Sequence, residues 1–350
     1  MVDRIAKTQY ASELRPGTVV NSVFLCADVK VRPTKSGSQF ADVRLVDRTG
    51  EISLKLWNYS ENVAGALAPG AFVKIRNVPV TEYNGSLQLS CETAQFGGAI
   101  TLCSSSECNL ADYVPSTVRD VDSMIGEIDN AICNIKPGPI KCLLQSFFGM
   151  PEFRGEFMEW PAAVRHHHAY SGGLLEHTTG VLRLCLCAAD QYEFVDRDIL
   201  IAGALLHDVG KLRSYDYDRT HGAATMSLPG VMTDHIVIGV EIVNRRIADL
   251  LNGCENKGSC AGPCWTEQAT LHITHLIASH HGSLEWGSPV QPATIEACIL
   301  HHADNMDAQV NKYERTIREM LGTGDGQCRY SEHVGKMVWA PPGSFEDDRS

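Results

Sequence analysis

The sequence predicts two domains of opposite class, a small all-β barrel followed by an all-α domain. Three observations carry this. Between Thr18 and about Phe96 apolar residues alternate, β-branched residues are frequent, and turn clusters recur at Lys35-Ser36-Gly37, Asp47-Arg48-Thr49-Gly50 and Tyr83-Asn84-Gly85, which is the pattern of short strands. Beyond Pro151 the long segments are amphipathic at helical spacing with short connections, and no strand-helix alternation is visible to build a parallel sheet. The 350 residues, 44% hydrophobic and 21% charged, suffice for two cores and exclude a disordered or collagen-like chain.

Within the β region one face collects Val23, Leu25, Ala27, Val29 and Val31, then Ala41, Val43 and Leu45, then Ile52, Leu54 and Leu56, and these form the expected core. The other face carries Phe24, Lys30 and Arg32, then Phe40 and Arg44, then Lys55 and Trp57, so aromatics and cations share the outside. Gly97 to Tyr113, rich in Gly, Ser and Cys and without periodicity, reads as a linker. Val118, Val121, Met124, Ile125, Ile128 and Ile132 mark an amphipathic helix over Thr117 to Ile135, which Lys136-Pro137-Gly138-Pro139 stops. Helices then follow over Leu174 to Gln191, Asp196 to His207, Asp234 to Leu251, Thr266 to His280 and Pro292 to about Glu319. From Gly322 a mixture of Gly, acids and a Pro pair predicts a poorly ordered tail.

Lys and Arg number 30 against 42 Asp and Glu, a net charge of -12. The molecule as a whole therefore repels polyanions, and contact with nucleic acid needs a local patch or metal ions. The N-terminal stretch has no apolar leader, and the longest apolar run, Ile199 to Leu206, is too short to span a bilayer. A cytoplasmic protein with no membrane partner is the expectation. Thirteen Cys without a disulfide-framework spacing fit reduced thiols.

Chemistry concentrates in the helical half. His177, the pair His207-Asp208, His235, the pair His280-His281, and Asp304 fall at the ends of expected helices or one turn inside them. Imidazole and carboxylate together suit divalent first-row metals, with carboxylate favouring harder ions such as Mn²⁺ and Mg²⁺ and Fe²⁺ also admissible. A carboxylate has two oxygens with which to bridge two ions, and Lys211 lies one turn beyond Asp208, where a cation can meet a phosphate. Any one of these His taken alone reads as a satisfied core or surface residue. Seven together, including adjacent buried pairs, are costly to desolvate without a shared partner such as a metal.

The string Pro-Ala-Ala-Val-Arg-His-His-His-Ala-Tyr-Ser-Gly-Gly-Leu-Leu-Glu-His at 161 to 177, Leu-Leu-His-Asp-Val-Gly-Lys at 205 to 211, Ser-His-His-Gly at 279 to 282 and Asp-Asn-Met-Asp-Ala at 304 to 308 resembles the HD-domain metal-dependent phosphohydrolases. The order of parts is similar to that of the YhaM-type 3'-to-5' exoribonuclease family, in which an OB-fold nucleic-acid-binding domain precedes an HD domain. The resemblance implies an N-terminal extension over 1–16, an OB-fold over 17–97, a linker and connecting helices over 98–150, an HD domain over 151–320 and a tail over 321–350. It implies that His177, His207, Asp208 and Asp304 hold one metal ion, and that His235, His280 and His281 hold a second with Asp208 as the bridge. Mn²⁺ is the first expectation, with Mg²⁺, Fe²⁺ or Co²⁺ as alternatives. Asp208 and Lys211 are the residues it places in catalysis, Lys211 by neutralising the scissile phosphate. His167 and His168 match a His-His-Ala-Tyr stretch and either support the ligands or face the substrate; support of the Gly172-Gly173 turn is the alternative. The implied reaction is hydrolysis of the 3'-terminal phosphodiester of single-stranded RNA, and of single-stranded DNA as a second candidate, by a homo-oligomer.

An OB-fold binds single strands by stacking bases on aromatics beside a cationic groove. Phe40 and Trp57, with Phe24 or Tyr83, are the stacking candidates, and Lys30, Arg32, Arg44 and Lys55 the phosphate-tracking ones. The alternative is that Trp57 and Phe40 pack on the second domain or on a neighbouring subunit. Cys254, Cys260 and Cys264 share a Gly-rich insertion that can be a zinc loop, with His272 or another Cys as fourth ligand, or a loop of reduced thiols; Cys185 and Cys187 read as core. The competing functions are an HD nucleotidase or cyclic-nucleotide phosphodiesterase, a di-iron oxygenase, and a catalytically inactive OB-fold adaptor.

Overall fold

The structure is a computed structural model that describes residues 5–34, 37–61, 67–83, 86–109, 112–114, 116–164, 168–219, 222–255, 265–323, 327–331 and 333–340. It divides into two units, one built on 1–116 with two short later segments, the other on the rest. The first is a closed five-stranded barrel of OB type. Strands β1 (Val19–Pro33), β2 (Gln39–Asp47), β3 (Gly50–Trp57), β4 (Phe72–Tyr83) and β5 (Ser86–Glu92) run in the order β1-β2-β3-β5-β4, β3 and β5 are parallel, and a β1–β4 pairing closes the ring. Ala41, Val43, Leu45, Ile52, Leu54 and Leu56 fill the core, as their alternation predicts.

Strand β1 departs from simple alternation, because bulges interrupt its pairing between Val20 and Ser22 and between Cys26 and Asp28. A bulge inserts one residue and reverses which side faces in. Val20, Phe24 and Cys26 therefore point into the barrel core, while Val23 and Leu25 enter a second cluster with Phe72, Cys108 and Tyr113. Val31, expected inside, is exposed. The second cluster exists because Gly97 to Tyr113 is not a linker. It contributes strand β6 (Ile100–Cys103), antiparallel to β4, and the buried Tyr113. The N-terminal segment also packs here, sending the Lys7 ammonium 3.0 Å from Asp47 and 3.9 Å above the Phe24 ring.

The second unit is helical: α1 (Val121–Asn134), α2 (Pro139–Phe148), α3 (Pro151–Glu159), α4 (Gly173–Gln191), α5 (Arg197–Leu206), the short α6 (Lys211–Ser214), α7 (Leu228–Glu255), α8 (Glu267–Ser279) and α9 (Ile295–Thr323). Helix α2 falls within the span where connecting helices are expected, α3 is an addition ahead of the first helix expected in the HD domain, and each is opened by a Pro at its first turn. Cys185 lies in the α4 core, but Cys187, two residues and more than half a turn further round, is exposed rather than buried. The tail is also partly ordered. Hairpin strands β9 (Cys328–Ser331) and β10 (Lys336–Trp339) pair antiparallel, with Val338 buried and Ser331 hydrogen-bonded to Thr316 at 2.7 Å. Between α6 and α7 lies a further hairpin, β7 (Tyr215–Asp218) with β8 (Ala223–Met226). Among the described residues no helix is long and apolar enough to cross a membrane.

Candidate metal centre

Helix α5 sets the position of the centre. The Asp196 side chain caps it by accepting from the amides of Asp198 and Ile199, and its residues from Ile199 to Leu206 are buried all round, as a central helix requires. Gly203 allows α8 to come close, since a Cβ there would stand 2.2 Å from Leu276 Cδ2. The C-terminal end of α5, which carries His207-Asp208, thereby meets the end of α8, which carries His280-His281. Gly210 performs the same service for α7, where a Cβ would lie 2.0 Å from the carbonyl oxygen of His235. A break at Asp234 (φ 62°, ψ 161°) precedes His235 in that helix.

Asp208 stands in the middle with its two oxygens facing different groups. Oδ2 lies 3.4 Å from both His177 Nε2 and His207 Nε2, and Asp304 Oδ1 is 3.2 Å from His177 Nε2. Oδ1 lies 3.5 Å from His235 Nε2 and 3.7 Å from His280 Nε2. The His281 ring completes that second group, 4.4 Å from the His280 ring and 5.0 Å from that of His235. All seven residues expected to converge are thus brought together. Lys211 is buried beside them, its ammonium donating to Asp208 Oδ2 at 2.6 Å while its backbone carbonyl accepts from Trp160 Nε1.

The orientation of the imidazoles is uniform. His177 Nδ1 donates to Asp307 (2.7 Å), His207 Nδ1 to the Ala204 carbonyl (2.9 Å), His280 Nδ1 to the Ile277 carbonyl (2.7 Å), His281 Nδ1 to the Trp286 carbonyl (2.8 Å) and His235 Nδ1 to the Asp234 carboxylate. Each ring therefore offers Nε2 inward, the tautomer in which an outer acceptor fixes a metal-binding His.

This donor set fits divalent cations. Asp208 Oδ1, His235 Nε2 and His280 Nε2 are buried with no hydrogen-bond partner, and each such atom costs about 1–3 kcal/mol to leave unsatisfied. One cation among them would satisfy all three. On the other side His207 Nε2 and His177 Nε2 approach to 3.2 Å, and two ring nitrogens whose Nδ1 hydrogens are committed elsewhere need a positive charge between them. Without an ion, a proton fills that role at His177: burial opposes protonation, but bonds to Asp208, Asp304 and Asp307 hold its pKa well above 6.5. Burial and neighbouring imidazoles push His280 well below the ordinary value, and burial pushes His281 below it. Burial works against ionisation of Asp208 and Asp304, yet the surrounding cations and imidazoles keep both carboxyls below the usual carboxylate range.

His167 lies outside the described residues. His168 is buried with a left-handed backbone (φ 52°) and serves two ends. Its carbonyl presses on Gly173, where a Cβ would be 2.0 Å away, and its Nε2 meets Asp307 at 3.0 Å. Sequence reading missed two carboxylates, Asp234 and Asp307. The signal for Asp307 was present in Asp-Asn-Met-Asp, whose acids three apart share a helix face.

On the barrel, the Phe40 and Trp57 rings lie 5.0 Å apart, and Trp57 Nε1 donates to Ser90. Arg32 is opposite Phe40 in register. Lys30 pairs with Asp28 (2.9 Å), Arg44 with Glu51 (3.3 Å) and Lys55 with Asp42 (2.7 Å). Tyr83 is exposed, but Phe24 is unavailable for stacking because it is wholly buried under Lys7. Cys260, Cys264 and the side chain of Cys254 lie outside the described residues, and His272 is bonded to Glu296 (3.1 Å).

Residues 174–309 match the HD domain family, a span that includes all seven converging residues. A protein named 3'-5' exoribonuclease YhaM from Bacillus subtilis (strain 168) is 30% identical, over 85% of this chain and 86% of its own length. One of the same name from Listeria monocytogenes serotype 4b (strain CLIP80459) is 31% identical over 85% and 87%. Another from Halalkalibacterium halodurans is 29% identical over 92% and 91%. Similarity that spans the barrel and the helical unit alike, and not the HD segment alone, means that this chain belongs to the YhaM family.

Proposed function

We propose that the chain is a metal-dependent 3'-to-5' exoribonuclease that hydrolyses single-stranded RNA from its 3' end to 5'-nucleotides. The observation that carries the site is the set of buried atoms without partners, Asp208 Oδ1, His235 Nε2 and His280 Nε2, set back to back through one carboxylate with His177, His207 and Asp304. In this reading His177, His207, Asp208 and Asp304 hold one ion and Asp208, His235, His280 and His281 the other. Bound divalent ions supply Lewis-acid stabilisation of the phosphoryl oxygens and a water acidified enough to attack at neutral pH. The protein supplies position and charge. Asp208 spaces the two groups of ligands, the Nδ1 acceptors keep the imidazoles aimed, and Lys211 offsets the negative charge that a phosphodiester brings to an acidic centre. On the barrel, Phe40 and Trp57 stack bases while Lys30, Arg32, Arg44 and Lys55 follow the phosphates.

Mn²⁺ as the native ion is favoured by the mixed imidazole and carboxylate donors and cytoplasmic residence by the exoribonuclease relatives, while single-stranded DNA as a further substrate and homo-oligomer assembly rest on the family resemblance. The test is an end-labelled oligoribonucleotide incubated with the protein and Mn²⁺ or Mg²⁺. The expected result is a ladder shortening from the 3' end with 5'-monophosphate products. Linearised cyclic nucleotides, oxygen uptake, or a ladder unchanged by Asp208→Ala would each overturn the reading.

A further inference from the structure

Asp307 is an acid of the centre to which the reading above gives no ligand role. It lies one turn beyond Asp304 on α9, and its Oδ2 accepts from two imidazoles, His177 Nδ1 at 2.7 Å and His168 Nε2 at 3.0 Å. Its Oδ1 rests on the backbone of α4. A Cβ at Gly180, three residues after His177, would stand 2.0 Å from that oxygen, so the missing side chain is what lets the carboxylate reach the helix.

Further bonds hold the arrangement from behind. His168 Nδ1 is 2.9 Å from Tyr170 Oη, which donates to Glu176 at 2.9 Å, and Glu176 pairs with Arg119 at 3.2 Å. Asp307 faces the Nδ1 edge of His177, opposite the Nε2 edge that faces Asp208 and Asp304, so it cannot share an ion with them through that ring. His207, His280 and His281 lean on neutral carbonyls. A carboxylate in the same place raises the basicity of the ring and strengthens it as a ligand.

We propose that Asp307 is a positioning residue that fixes His177 with Nε2 toward Asp208 and Asp304, and that Gly180 and the His168-Tyr170-Glu176-Arg119 chain hold Asp307 in that place. This rests on the reading of His177 as a ligand. The test is a calorimetric Mn²⁺ titration of the full chain, wild type against Asp307→Asn and Gly180→Ala, with thermal melts of the metal-free proteins. Gly180→Ala removes no polar group and raises helix propensity, so it remains informative where Asp307→Asn folds poorly.

The expected result is a selective loss: one of two ions binds about 10- to 100-fold more weakly in both variants, as loss of an outer partner generally costs, while the other ion is unaffected. In the Mg²⁺-loaded protein the Nδ1 proton of His177 should resonate far downfield in the wild type and move upfield in both variants. Wild-type affinities in both variants would overturn the Asp307 proposal alone. Equal weakening of both ions with a lowered melting temperature would reduce Asp307 to a structural role. A wild type that binds no Mn²⁺ would overturn the ligand reading and this proposal together.

Discussion

Both units bury an ion pair, and they do so in opposite ways. In the barrel unit Lys7 and Asp47 are fully enclosed 3.0 Å apart, and their remaining valences are filled: Lys7 donates to the Val23 carbonyl, while Asp47 accepts from the Ala11 amide and from Thr49. In the helical unit Lys211 and Asp208 are also buried, 2.6 Å apart, yet Asp208 Oδ1 and the Nε2 atoms of the two imidazoles facing it lack partners. A saturated pair is complete as structure. An unsaturated one calls for a ligand to complete it, because each buried polar atom left without a partner costs about 1–3 kcal/mol. The distinction separates architecture from chemistry more sharply than burial does, since both pairs are buried.

The largest effect should come from the unsaturated pair. Asp208→Ala removes the residue common to both groups of ligands, so exonuclease activity should fall by more than the roughly 100-fold that loss of an outer partner can cost. The metal-free protein should at the same time melt lower than wild type, because Lys211 is left buried without its acid. Activity assays and melts in chelator check both halves, and an unchanged Mn²⁺ stoichiometry in Asp208→Ala would break the comparison. Lys7→Met is the counterpart. It strands Asp47 in the core and should cost about 3–5 kcal/mol of stability, read by denaturant titration, while Mn²⁺ stoichiometry stays unchanged.

The ease of reading differs between the units for the same reason. The ligand residues were legible because a His or Asp at the end of an apolar helix is chemically out of place: Ile199 to Leu206 followed by His207-Asp208 announces itself. The barrel core was legible from alternation in β2 and β3. It fails in β1, where nothing in the residues marks a bulge, so alternation puts Phe24 outside and Val31 inside, the reverse of what the fold does. The Asp307 and Asp234 supports escaped notice because an acid on a helix ordinarily faces water, and only the fold shows which imidazole it meets. Gly203, Gly210 and Gly180 are in the same position, since their meaning is a distance to another helix. The segment from Gly97 to Tyr113 misled through composition, because its single short strand and one buried Tyr carry too little periodicity to register.

The imidazoles also sharpen the comparison through pH. Metal-free His177 has its pKa raised well above 6.5, so the stability it contributes is fully present below 6.5 and lost as pH rises through the folded value. His280 is depressed well below 6.5, so its contribution is present above 6.5 and lost as pH falls toward the folded value. Metal binding must expel the His177 proton but finds His280 and His281 already neutral. Calorimetry in buffers of different ionisation enthalpy should show one ion whose affinity rises about tenfold per pH unit, with proton release, and a second that is nearly flat above 6.5. Two ions with the same pH slope would mean that the two groups of ligands are not distinct.

The smallest effects belong to the barrel surface, and their smallness is the point. Trp57→Ala should weaken binding of a long oligoribonucleotide by the equivalent of one lost stack, about 1–3 kcal/mol or 5- to 150-fold. Hydrolysis of a dinucleotide should change far less. Arg44→Ala removes one partner of an exposed pair with Glu51, so stability should move by less than about 1 kcal/mol. If Arg44 meets a phosphate, the plot of log affinity against log salt should flatten by about 0.7, the share of one contact on a single strand. An unchanged slope assigns Arg44 to Glu51 alone, and the same measurement on Lys30→Ala and Lys55→Ala then decides whether any of these paired cations leaves its acid for RNA. Surface pairs can make that exchange cheaply because water stabilises the acid left behind, whereas no such exchange is open to Lys7.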